Sequence, residues 1–242
     1  MVFRNNESAL DSMEKEQALL LSTLSLLQFG DSQFPSGSFA FSGGLEALFN
    51  DQKIRTPAEV MDFISAQLQQ RWDSLDRVAL CRCYRLGDDL DAISAIDHEV
   101  DAMTLAAGLR VGSCRNGAAL LSTHARLETR NSAEYRRRIQ SGQSPGHIAV
   151  IQGLLWAHCG LSEIQSQAAS AHAICSDLLG AAMRLGKLGH LHAQLIRQQL
   201  TPVIATLLEV PVSDHTEMHS YLPATEIAAM RHESSKLRLF SN

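Results

Sequence analysis

The clearest helix start in the chain is Thr56-Pro57-Ala58-Glu59, and the pattern that follows it restricts the fold to packed helices. Thr56 can cap, Pro57 suits the first helical position, and Glu59 completes a capping box. Val60, Phe63, Ile64 and Leu68 then mark one face at intervals of three and four. The run continues or restarts through Trp72, Leu75, Val78 and Leu80 to about Arg85. Hydrophobic residues make up 45% of the chain but aromatics only 5%, so Ala, Leu, Ile and Met must build the core. Sheets favour β-branched and aromatic residues, and this composition favours helices instead.

Elsewhere the same periodicity recurs. Leu19, Leu20, Leu24 and Leu27 precede a stop at Gly30, and Leu45, Leu48 and Phe49 mark a short helix. Asp88 and Asp89 suit the positive end of a helix whose apolar face reads Leu90, Ile93, Ile96, Val100 and Met103. Further helices are expected at about 112–127, 132–139 and 189–208, the last kinked by Pro202. His147 to His158 is apolar nearly all round, which marks a central core helix. Ser162 caps a helix with a narrow stripe of Ile164, Ala168, Ala171, Cys175, Leu178 and Ala182, suited to close packing within the domain or across a dimer. The expectation is an all-α fold: a single globular helical domain of about eight to ten helices with a C-terminal tail helix. Residues 1–13 are expected to be disordered, 14–210 to form the core, and 211–242 to form a semi-detached partner-binding tail.

A formal net charge of −5 argues against nonspecific nucleic-acid binding. Arg136-Arg137-Arg138 reads as a solvated face, with an acidic docking partner as the alternative. Five Cys suggest no disulfide framework and fit reduced thiols in a cytoplasmic protein. The polar N-terminus lacks a signal-peptide pattern, and no stretch approaches the ~20 apolar residues that span a bilayer.

Chemistry-bearing candidates are few. Ser42, in Phe41-Ser42-Gly43-Gly44, lacks the Gly-x-Ser-x-Gly elbow, which leaves a turn serine or the centre of a cryptic hydrolase. Gly180 to Lys187 has the wrong spacing for a phosphate loop, with Leu188 where Ser or Thr is required. His215 and His219 are weak metal candidates, since two histidines four apart share a face only on a helix. They sustain the alternative of a helical metal-binding or nickel-storage protein. No catalytic residue, cofactor or firm metal site is expected.

The residues 31–46, Asp31-Ser32-Gln33-Phe34-Pro35-Ser36-Gly37-Ser38-Phe39-Ala40-Phe41-Ser42-Gly43-Gly44-Leu45-Glu46, form a loop dense in Gly and Ser and studded with Phe. Phe34, Phe39 and Phe41 are expected to pack inward while backbone and hydroxyls face out. This loop resembles the N-terminal motif of the urease accessory protein UreF family. The likeness recurs in Glu226 to Glu233 and in Arg238-Leu239-Phe240, and more weakly from Arg184 to His190. Ser38 and Phe41 stand where that family often has Gly and His, and Lys187-Leu188-Gly189-His190 replaces a Pro-Leu-Gly-Gln-like turn.

The resemblance implies an all-α, non-enzymatic cytoplasmic homodimer. Its implied partners are UreD (also called UreH), the UreG GTPase and, through the complex, apo-urease, with no nucleic acid or membrane. It implies partner-binding roles for Ser36, Gly37, Ser42 and Gly43 in the loop and for Arg184 and Lys187, with Arg184 facing UreG. In the tail it implies that Arg231, His232, Glu233, Leu239 and Phe240 order on binding UreD.

Overall fold

Among the described residues, eleven α-helices make up most of the structure. The computed structural model describes residues 3–31, 33–37, 42–233 and 240, with the backbone alone at 3–12, 232 and 233. In order these are α1 (Phe3–Gly30), α2 (Leu45–Asn50), α3 (Pro57–Gln67), α4 (Arg77–Leu86), α5 (Leu90–Met103), α6 (Ala107–Arg126), α7 (Ser132–Gln140), α8 (Ile148–Trp156), α9 (Glu163–Arg184), α10 (His190–Glu209) and α11 (Pro223–Glu233). A π-helical segment, Leu68–Asp76, joins α3 to α4 without a break. Counting that rod once leaves ten helices, and there is no strand among the described residues. None of these helices is long and apolar enough to cross a membrane.

Capping chemistry sets the firmest boundaries. Thr56 Oγ1 accepts from the Glu59 N–H at 3.3 Å while Glu59 Oε2 accepts from the Thr56 N–H at 2.9 Å. Ser162 and Gln165 repeat the reciprocal pair at the start of α9. Asp89 caps α5 through the Ala92 N–H. By contrast Ala106, which precedes α6, has no capping side chain, and this helix begins at Ala107 rather than near Gly112. Helix α1 begins at Phe3, within the residues 1–13 for which the polar composition implied disorder. It leaves Leu19, Leu20, Leu21, Leu24 and Leu27 each more than half exposed.

Two apolar clusters make the core. One gathers α2, α3, α9 and α10 around Ile64, Leu68, Trp72, Ala171 and Cys175. The other gathers α4, α5, α6 and α8 around Leu80, Ile93, Leu121, Ile151 and Leu154. Every residue of α8 from Ala149 to Trp156 is buried, as its all-round apolar pattern requires. The small-residue stripe of α9 is consumed inside the chain: Ala171, Cys175, Leu178 and Ala182 all lie in the first cluster. The clusters meet at the π-helical segment, where Trp72 Nε1 donates to Ser170 Oγ at 3.1 Å and Ser170 Oγ donates to Gln152 Oε1 at 2.8 Å.

The segment after α10 is docked along the body, contrary to the semi-detached tail expected for 211–242. Three arginines of α4 hold its carbonyls. Arg77, only 3% exposed, donates to Leu207 O at 2.7 Å, Val210 O at 2.5 Å, Gln167 Oε1 at 2.7 Å and Asp73 Oδ1 at 2.5 Å. Arg85 binds Val212 O and the Asp214 carboxylate, and Arg82 binds Thr216 O. Beyond them, the His219 and Tyr221 N–H groups donate to Ser74 O and Gln70 O, so the segment tracks the π-helix. Val212 and Met218 are buried in the second cluster. Replacing Arg77 with Met should leave several buried acceptors without a donor and cost roughly 2–4 kcal/mol. Urea unfolding would read this as a lower midpoint at unchanged slope; an unaltered midpoint would show that the guanidinium is not the tie.

Candidate functional site

The two ends of the chain that carry the family-like motifs meet on one face. Buried Glu46, in the first turn of α2, accepts the Phe240 N–H on Oε2 at 3.1 Å, and the Phe240 ring is itself 4% exposed. Helix α11 lies against α2 and α6, with Ala228 and Ala229 buried. Gln67 Nε2 at the end of α3 donates to Thr225 Oγ1 at 3.0 Å. The Arg184 guanidinium, in the last turn of α9, sits 4.9 Å from the centre of the Phe240 ring. Lys187 Nζ lies 5.9 Å from that of Phe49. Both contacts have cation–π geometry. Burial lowers the pKa of Arg184 and nearby Asp177 raises it, with burial the larger effect. Arg231 is exposed and pairs with Asp51 at 3.6 Å. Thus Glu46, Arg184, Lys187, Arg231 and Phe240, scattered over nearly two hundred positions, form one charged and aromatic patch.

The motif loop divides between two environments. Gly37 is exposed and Ser36 half-buried. At Gly37 (φ +80) an added Cβ would meet the Ala119 Cβ at 2.3 Å, so only glycine lets the loop lie on α6. Thr123 Oγ1 fastens it by donating to Pro35 O at 2.9 Å. Ser42 and Gly43, expected to face a partner, are buried instead. Ser42 Oγ accepts the Glu46 N–H at 3.5 Å, and the following turn abuts Thr225 of α11. At the adjoining Gly44 the neighbour is the chain's own α11, a docking that no local pattern announces. Phe34 packs edge-on against Phe29 at 5.3 Å. Phe39, Phe41 and Leu239 lie outside the described residues, as do the side chains of His232 and Glu233.

The weak metal candidates do not assemble. His215 and His219 lie in an irregular segment rather than on a helix, and neither joins a group of three ligands among the described residues. One such group does form, from Asp101, Cys114 and His147. It escaped sequence reading because its members come from three separate helical elements.

Comparison with known proteins fits this arrangement. A family model described as UreF matches residues 54–201. The chain belongs to the UreF family. Among its relatives, a urease accessory protein UreF of Trichodesmium erythraeum (strain IMS101) is 36% identical over 228 residues, covering 90% of this chain and 96% of that protein. Urease accessory protein UreF 1 of Brucella melitensis is 29% identical, covering 90% and 92%. A UreF of Yersinia enterocolitica is 28% identical, covering 90% and 96%.

In this UreF-family chain the motif loop is anchored by an unusual histidine. His124 of α6 is fully buried between Phe29 and Phe34, with ring centres at 5.3 and 5.7 Å. Its Nδ1 lies 2.9 Å from Thr129 Oγ1. Burial pushes its pKa down from 6.5 to about 4. The folded chain therefore refuses a proton that the unfolded chain accepts. Stability is full above pH 6.5 and is lost as pH falls toward about 4, by up to roughly 3 kcal/mol. Denaturant unfolding between pH 7 and 4 should show this decline, and His124→Gln should flatten it relative to the parent. Parallel slopes for the two proteins would exclude the histidine as the source.

Proposed function

We propose that the chain serves urease maturation in the cytoplasm as a homodimeric scaffold without chemistry of its own. In this reading it binds UreD (UreH), recruits the UreG GTPase and modulates its turnover while nickel is inserted into apo-urease in a GTP-dependent step. The observation that carries it is the convergence of both terminal motifs on the patch around Glu46, Arg184 and Phe240. Names of relatives at up to 36% identity speak for an accessory rather than a catalytic role.

Within the patch, Arg184 and exposed Lys187 are assigned to UreG. The C-terminal residues Arg231, His232, Glu233 and Leu239 are assigned to UreD. Phe240 then acts as the buried anchor that holds them in place. Exposed Gly37 and half-buried Ser36 are assigned to the partner-facing side of the loop, whereas Ser42 and Gly43 support it from within.

Co-purification from cells carrying a complete urease operon tests the assignment. Arg184→Ala should lower recovery of UreG by roughly five- to thirtyfold, the effect of losing 1–2 kcal/mol, and leave UreD bound. Arg231→Glu should do the reverse. Undiminished UreG with the first variant would remove the assignment of Arg184. Fully nickel-loaded urease in a strain lacking this chain would overturn the function itself.

A further inference from the structure

Three helical elements converge where α5 ends, α6 completes its second turn and α8 begins. Asp101 lies in the last turn of α5, Ser113 and Cys114 lie in α6, and His147 is the residue before α8. Close backbone approach fixes the junction. A Cβ added at Gly117 would stand 2.0 Å from Gly146 O, so the α8 lead-in rests directly on α6. Buried Asp97 locks this lead-in, accepting the Gly146 N–H at 2.6 Å and the His147 N–H at 2.9 Å.

The His147 ring is fully buried, and both of its nitrogens are placed. Nδ1 is 3.0 Å from Ser113 Oγ, and Nε2 is 3.0 Å from Asp101 Oδ1. Cys114 is half-buried beside them, and the three potential ligand atoms all lie within 4.8 Å of one another. Bonds of about 2.0–2.3 Å to a tetrahedral ion put ligand atoms roughly 3–4 Å apart. The Cys114 side chain therefore needs to close by only about 1 Å.

We propose that Asp101, Cys114 and His147 form a site for one divalent cation of the zinc class, bound through Oδ1, Sγ and Nε2. A mixed thiolate, imidazole and carboxylate set suits such a borderline-soft ion. Ser113 accepts the Nδ1 proton and thereby turns the Nε2 lone pair toward the ion. The Cys114 thiol proton leaves to solvent on binding, with any proton shared between Nε2 and Asp101. Thiolate and carboxylate then neutralise the two positive charges, and Asp97 offsets the positive end of α8. Asp101 is 41% exposed, so the fourth position opens toward solvent and takes water or a donor from a partner. The site is independent of the proposed maturation role.

Cobalt(II) titration of the purified full-length chain tests this. A thiolate-to-cobalt charge-transfer band should saturate at one ion per chain and disappear when zinc is added. Cys114→Ser should abolish the band, and Asp101→Asn should weaken binding by roughly tenfold or more. Replacing both His215 and His219 with Ala should leave it unchanged. Because His147 is buried, the test rests on its two more exposed neighbours, with circular dichroism confirming that each variant is folded. Absence of the band in folded parent protein would overturn the site. So would its survival in Cys114→Ser, or indifference to Asp101→Asn.

Discussion

A single buried guanidinium ties the molecule together. Arg77 reaches α9 through Gln167 and the end of α10 through Leu207 and Val210, while lying 5.9 Å from the centre of the Trp72 ring. An arginine taken out of water is costly unless its donors are met, and here four hydrogen bonds, to Gln167, Asp73, Leu207 and Val210, hold it. Once that site forms, the exit of α10 is set, and with it the path of the segment leading to α11. Arg85 and Arg82 extend the same device along α4, so one row of arginines steers the segment between α10 and α11 over the body.

The patch around Glu46 and Phe240 follows from that steering. Helix α11 arrives beside α2 because the segment before it is held by carbonyl contacts to α4 and to the π-helix. Only then do Glu46 and Phe240 meet, and only then does Arg184 find an aromatic ring to lie over. The patch is thus a property of the tertiary fold, even though its members lie in short recognisable motifs. A glycine at position 37 performs the corresponding service for the other part of the loop by letting it lie on α6.

Local physics was legible in the sequence wherever one side chain meets its own backbone. The capping box at Thr56, the cap at Ser162, the acidic start of α5 at Asp89 and the wholly apolar α8 were readable, because each depends on neighbours three or four residues away. The family and the all-helical architecture were readable as well. Helix α6 was placed late because Ala106 offers no capping side chain. Docking of the tail and of α11 beside Gly44 was illegible because its causes act between residues more than a hundred positions apart. The pair His215 and His219 attracted notice by spacing alone, while Asp101, Cys114 and His147 carried no spacing at all. A pattern search sees ligands on one helix and misses those assembled by three.

The π-helical stretch has a mechanical consequence. It fits more residues into each turn than the α-helix on either side, so it rotates α4 about the axis it shares with α3. That twist lets one rod present Ile64 and Leu68 to the first cluster and Leu75 and Leu80 to the second. Dropping one residue from these nine would re-index everything downstream by about 100°. The arginine row would then point away from the backbone it grips. This stretch works like the thread pitch of a screw: its exposed side chains can be exchanged, but its length and its buried Leu68, Trp72 and Leu75 cannot.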